Sequence, residues 1–227
     1  MQLNRNALQL CEALVERAER WKVAVRRDES GARIIDCGVL VPGGLEAGRR
    51  LAKICLAGLG QVEITRGSQT SCTDATVTVR TDQPVAGCMA SQYAGWQIAG
   101  KKFFAMGSGP MRAAGSREEL FDSIGYRERP PHVVGVLESA TLPPSDVCEH
   151  IAASCGVDEE NLTLLVARTA SQAGNVQVVA RSVETAMHQL FELGFDLSRV
   201  ESGFGTAPLP PVAKDDLGAV GRTNDAV

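Results

Sequence analysis

Between residues 3 and 20 the apolar positions Ala7, Leu10, Cys11, Leu14 and Ala18 recur at a spacing near 3.6, which predicts one amphipathic helix. The period then changes. "KVAVR" and "ARIIDCG" read as two strands joined by the turn "RDESG", where Gly31 can supply the conformation a hairpin needs. Helical spacing returns in "GGLEAGRRLAKICLAG" from Leu45 to Ala57, with Gly58 as its stop. "QVEIT" and "ATVTVRT" are alternating, β-branched strands on either side of the polar loop "RGSQTSCTD". Pro84 opens a helix through "VAGCMASQYAGWQI", and Lys101 to Ala105 form a strand that feeds a glycine-rich loop. "PHVVGVLES" and "NLTLLVA" read as buried strands flanking a helix in "PPSDVCEHIAASCG" that ends at Gly156. Strand-strand-helix and strand-helix-strand units alternate, so the fold class is α/β with mixed α+β sheets rather than a doubly wound parallel sheet. Near the C-terminus "GTAPLPPVAKDD" has the composition of a linker.

Composition narrows the function classes. A chain of 227 residues that is 44% hydrophobic can bury a substantial core. Its 23 basic against 27 acidic residues give a formal net charge of −4, which argues against nucleic acid and against an anionic membrane as partner. The N-terminal segment carries charges throughout, and no later segment offers about 18 uninterrupted apolar residues, so a cytoplasmic protein is expected. Seven cysteines, none two residues from another, give neither a zinc knuckle nor a redox pair, and most are expected to be reduced and buried. Three histidines, none at helical spacing from another, make no metal site.

Two stretches carry candidate chemistry. In "FFAMGSGPMRAAG", residues 103–115, Gly107, Ser108 and Gly109 can turn backbone N–H groups toward one point, with Arg112 just beyond, which suits an anion. The same letters suit a strand-to-helix turn with Pro110 at the first helical position, and the pattern leaves both readings open. From Asn175 to Leu193, "NVQVVARSVETAMHQLFEL" projects as one helix with Val176, Val179, Val183, Met187 and Leu190 as its apolar stripe. Gln177, Arg181, Glu184 and His188 form a polar line on the other side. That line is either a solvated face with an Arg–Glu pair, or a general base beside a cation that tunes it. The preceding loop "ARTASQAG" places Thr169 and Ser171 where hydroxyls cap a helix or hold a polar ligand. Asp74, Glu46 and Asp225 are competing carboxylates.

"FFAMGSGPMRA", "TASQAGNVQVVARSVETAMHQLFELGFDL", "GTAPLPPVAKDDLGAVGRTNDA", "TDQPVAGCMASQYAGWQ" and "IDCGVLVPGGLEAG" together resemble the methenyltetrahydromethanopterin cyclohydrolase family, in order and over nearly the whole chain. The resemblance implies an enzyme of one-carbon metabolism that opens the methenyl bridge of a tetrahydromethanopterin-type pterin with water, the pterin being substrate and no cofactor staying bound. It implies two α/β domains with a substrate pocket between them, 1–115 and 116–227 on this chain, commonly assembled as a homotrimer. It places the catalytic carboxylate on Glu184 and its arginine partner on Arg181; Gly107, Ser108 and Gly109 are then expected to line the cleft and donate backbone hydrogen bonds to the substrate, with Thr169 and Ser171 as weaker substrate contacts that helix capping also explains. Family members continue past "GRTNDAV", so the second domain is expected to be incomplete at its C-terminus. Arg168, where archaeal relatives tend to have proline, points to a bacterial subgroup with a differently decorated pterin.

Two other readings are weighed. A phosphate cradle for phosphoryl transfer lacks the Gly-x-x-x-x-Gly-Lys-Ser/Thr signature. A chain that binds the pterin or assembles without turnover is distinguished by saturable binding with no hydrolysis.

Overall fold

The computed structural model describes residues 1–67, 73–115 and 118–227, so residues 68–72 of the polar loop, Cys72 among them, lie outside the described residues. Helix α1 (Leu3–Val15) and the short α2 (Ala18–Trp21) lead into a hairpin of β1 (Ala24–Arg27) and β2 (Arg33–Gly38). Gly31 turns that hairpin with φ +97°. Helix α3 (Leu45–Cys55) is followed by β3 (Gln61–Arg66) and β4 (Ala75–Thr81). A π-helix (Val85–Gln92) comes next, then β5 (Trp96–Ala99), β6 (Phe104–Ser108), α4 (Met111–Gly115) and α5 (Glu119–Ser123). The chain continues through β7 (Val133–Glu138), α6 (Ser145–Cys155), β8 (Leu162–Ala167), α7 (Gln172–Val179), α8 (Ser182–Glu192), β9 (Gly203–Pro208) and α9 (Asp216–Asn224).

Six strands make one mixed sheet in the order β1-β2-β8-β7-β6-β5, parallel at β2–β8 and β8–β7 and antiparallel elsewhere. A second, antiparallel sheet has the order β3-β4-β9. The mixed α/β architecture is as expected. Both sheets draw strands from either side of residue 115, so a boundary at 115/116 crosses them both.

Period-2 alternation places the core. In β2, β7 and β8, Ile34, Val133, Leu137, Leu162, Leu164 and Val166 face α4 and α6, while Ile35, Val134, Val136, Leu165 and Ala167 face α1 and α3. Strands buried on both faces belong at the centre of a sheet. A third cluster lies under the three-stranded sheet, where Val62, Val77 and Val79 meet Met89, Val176, Val179, Val183 and Met187.

Three expectations need correction. The helix opened by Pro84 ends at Gln92, and Trp96–Ala99 is strand β5, because Ile98 is needed in the core while its neighbours Gln97 and Ala99 are exposed. The strand expected over 101–105 instead runs Phe104–Ser108, so half of the presumed loop is sheet. The linker-like stretch begins inside β9, where Gly205, Thr206, Ala207 and Pro208 pair with β4.

Helices α3 and α7 touch where Gly48 has no side chain. A Cβ there would stand 2.7 Å from Val176 Cβ and 2.8 Å from the Ala173 carbonyl oxygen. Backbone cannot yield as a flexible side chain would, so Gly48→Ala is expected to lower stability by about 1–3 kcal/mol, the usual cost of overpacking. A urea midpoint equal to the parent's would show that the two helices can part freely.

Candidate active site

Five chain segments end at one place. The π-helix is the knot among them. Its wide turn is closed by the Tyr93 N–H donating to the Cys88 carbonyl, and such turns recur at functional sites. Ser91 Oγ donates to the carbonyl of Cys55 at the end of α3 at 2.6 Å, and the Ser91 carbonyl accepts from Gly109 N–H at 2.8 Å. Gln92 Nε2 donates to the Ala180 carbonyl at 2.9 Å, which fixes the junction between α7 and α8.

That junction replaces the single helix expected over 175–193. Ala180 and Arg181 have ψ near zero, so α7 stops, Arg181 becomes the residue before α8, and Glu184 lies in the first turn of α8. The polar line is consequently not a solvated face. Gln177, Arg181 and Glu184 are buried, Arg181 at 8% and Glu184 at 6% exposure, and only His188 is half-exposed.

Arg181 reaches back to the sheet. Its Nη2 lies 2.5 Å from Glu138 Oε1, at the end of β7, and donates to Ser108 Oγ, at the end of β6, at 3.3 Å. Glu138 Oε1 is held by this ion pair, while Arg181 Nε is buried with no hydrogen bond. The Oε1 atoms of Gln177 and Gln92 are in the same condition. Ser108 Oγ also meets Cys55 Sγ at 3.4 Å, and Gln177 Nε2 donates to that sulfur at 3.7 Å. Three orphaned polar atoms in one network, on Arg181, Gln177 and Gln92, are unusual for a core built only for stability and mark a site with a task.

Glu184 has no ion pair with Arg181, contrary to the expectation from their three-residue spacing, because Arg181 is turned toward Glu138. Burial pushes the Glu184 carboxyl up from the ordinary 4.5 to about 7; Arg181 and Arg112 pull it down, and Glu138 adds to the rise. A carboxyl that titrates near neutrality can accept a proton and return it, which is what acid–base catalysis requires. The competing carboxylates lack this setting: Asp74 and Asp225 are exposed, and Glu46 is held low by hydrogen bonding and pairing with Arg49 and Arg50.

Around Glu184 stands a second group of rings and charge. Arg112 is buried between Tyr93 and Phe121, with its guanidinium 5.1 and 5.4 Å from their ring centres, and pairs with Glu118. The Tyr93 ring also lies 5.0 Å from His188, one turn after Glu184.

The structure brings Ser108, Arg181 and Glu184 together. Gly107 and Gly109 support them by packing: Gly107 is paired on both sides within the sheet, and a Cβ on it would stand 2.8 Å from Ile98 and Met111. Gly109 has φ +86°, and its N–H is engaged by Ser91, so the glycine turn is not an open anion cradle. Thr169 and Ser171 lie at the far end of α7. Ser171 Oγ accepts from Gly174 N–H at 3.0 Å and donates to the Arg168 carbonyl at 2.7 Å, which makes it the helix cap. Ser171→Ala is expected to lower stability by about 1 kcal/mol, read as a shifted urea midpoint; a raised KM with unchanged stability would instead put the hydroxyl on a substrate. Arg168 is held by Asp216 at 2.9 Å, tying α9 to the turn before α7.

Glu138 escaped sequence reading because it ends an apolar strand. Its signal was parity: it shares the face of Val134 and Val136, which points it toward α3 and the α7–α8 junction. Among the described residues no three His, Cys, Asp or Glu side chains gather to hold a metal, and no helix is long and apolar enough to cross a membrane. Two surface clefts of about 620 Å³ lie away from this network, one lined by Lys53, Arg80 and Phe204 and one by Arg5, Glu128 and His132.

Residues 2–227 match the protein family described as Cyclohydrolase (MCH). The chain is 47% identical over 218 residues to the methenyltetrahydromethanopterin cyclohydrolase of Xanthobacter autotrophicus, covering 96% of this chain and 65% of the relative. Identity to the protein of the same name from Methylobacillus flagellatus is 46%, covering 96% and 67%. With that from Methanococcoides burtonii it is 41%, covering 99% and 71%. The chain thus spans about two thirds of the length of these curated relatives. With a family match over almost every residue and the same relatives in bacteria and archaea, the chain belongs to the MCH cyclohydrolase family.

Proposed function

We propose that this chain hydrolyses the methenyl bridge of a methenyltetrahydromethanopterin-type pterin to the formyl form, with Glu184 as acid/base group and Arg181 as its partner. The observation that carries the reading is a buried carboxyl that burial raises to about 7, in a chain whose relatives are named methenyltetrahydromethanopterin cyclohydrolase. The bridge carbon sits between two nitrogens as an amidinium-like cation and is already electrophilic. Water adds to it while one water proton passes to Glu184. Glu184 then returns a proton to the departing nitrogen, and the hydroxyl proton leaves as the formyl C=O forms. Cation and water give neutral product and one proton.

Charge complementarity supports the same assignment. Once Glu184 ionises, it adds a negative charge beside the Glu138–Arg181 and Glu118–Arg112 pairs, which favours a cationic substrate. Of the proposed substrate contacts Gly107, Ser108, Gly109, Thr169 and Ser171, Ser108 has the best support, since its hydroxyl accepts from Arg181. The family resemblance also supports a cytoplasmic homotrimer, which light scattering would measure.

The direct test follows the loss of methenyltetrahydromethanopterin absorbance on adding the purified 227-residue chain. Hydrolysis well above the uncatalysed rate is expected. Saturable binding without hydrolysis would overturn the enzyme reading and leave a pterin-binding chain.

A further inference from the structure

We propose that Glu138 is a positioning residue of this site: by taking the Arg181 guanidinium onto the sheet side, it keeps that cation from closing on Glu184, which is thereby left free to gain and lose a proton. The inference deepens the function proposed above and rests on it for the identity of the reaction.

The geometry is specific. Glu138 and Arg181 come from distant parts of the chain and meet at 2.5 Å with side chains only 14% and 10% exposed. A second hand holds the cation on the same side, the Ser108 hydroxyl at 3.3 Å. Arg181 is three residues from Glu184 yet makes no ion pair with it, so one guanidinium has a choice of two carboxylates and is committed to the one on β7. A guanidinium closing on a carboxylate normally holds it ionised and drives its proton off. With Arg181 committed elsewhere, burial dominates at Glu184. The other groups facing Glu184 are Arg112 of α4, which favours its charged form, and the buried Cys88 thiol of the π-helix, which stays protonated. Tyr93 and His188 stand beside it.

Glu138→Gln removes a negative charge near Glu184 and releases Arg181 toward it, and both changes lower the Glu184 midpoint. Carbon-13 NMR of glutamate-labelled protein reads that midpoint without any turnover, the Glu184 signal being assigned by its loss in Glu184→Gln. The midpoint is expected to fall by roughly one pH unit or more in Glu138→Gln, and the acid limb of the pH profile of kcat to move with it. Glu138→Asp keeps the charge but withdraws the carboxylate by one methylene. Its grip on Arg181 loosens, so the Glu184 midpoint should fall in the same direction but by less than in Glu138→Gln, with kcat lowered and little change in KM.

An unmoved Glu184 midpoint in Glu138→Gln would overturn the proposal. Should that variant fail to fold, a parental Glu184 midpoint in Glu138→Asp overturns it equally. A parent chain that hydrolyses nothing would sink the cyclohydrolase reading alone, since the titration still decides what Glu138 does.

Discussion

Replacing Glu184 by glutamine is expected to lower turnover by at least about 100-fold, and by as much as about 10⁴-fold, the range that positioned acid–base catalysis contributes. The fold should survive, because glutamine keeps the shape of a side chain that makes no ion pair. Stability supplies an independent check with a definite sign. In the folded chain burial holds the Glu184 proton to about pH 7, whereas the unfolded chain releases it near 4.5. Below about pH 4 both states are protonated and no penalty exists. As pH rises through the unfolded value, the unfolded chain loses its proton first and gains stability relative to the folded one. The penalty grows until pH passes the folded value and is constant above it. Glutamine carries no such penalty, so the mutant should gain on the parent between pH 4 and pH 8 by on the order of 3 kcal/mol. Parallel urea titrations at those two pH values measure the difference. Turnover near the parental rate would remove Glu184 from the reaction, and a stability difference independent of pH would show that its carboxyl is not held protonated.

Arg181→Met is expected to abolish turnover and to cost about 3–5 kcal/mol of stability, because it leaves Glu138 buried without its counter-ion. The double variant Arg181→Met with Glu138→Gln should recover much of that stability, since both buried charges are then gone, and none of the activity. A double-mutant cycle in urea separates the two effects: a coupling energy of about 1 kcal/mol or more identifies the ion pair as the source of the loss. Additive stability changes would mean that Arg181 and Glu138 are solvated separately.

The strands of the large sheet were legible one by one, because β2, β7 and β8 each carry an apolar run whose alternate residues serve two faces. Gly31 and Gly156 marked their turns correctly, since positive φ is a local demand that a local sequence must meet. The identity of Arg181 and Glu184 was also readable, by spacing and by resemblance. Their relation was not. Helical projection assumes an unbroken helix, and the break at Ala180–Arg181 depends on a hydrogen bond from Gln92, 88 residues away along the chain. The same holds for the glycine turn, whose amide is claimed by Ser91 from the π-helix, and for the linker-like stretch, which becomes β9 because β4 offers it an edge.

By itself, then, the sequence determined the local periods, the turn positions and the α/β class, and it singled out Arg181 and Glu184 as the candidate pair. Each of these follows from the preferences of a few neighbouring residues. The tertiary structure alone decided that the polar line is buried rather than wet, that Arg181 answers to Glu138 before Glu184, and that Glu184 keeps its proton to about pH 7. Burial and charge are sums over everything within reach of an atom, and at this site what lies within reach comes from five segments that only folding brings together.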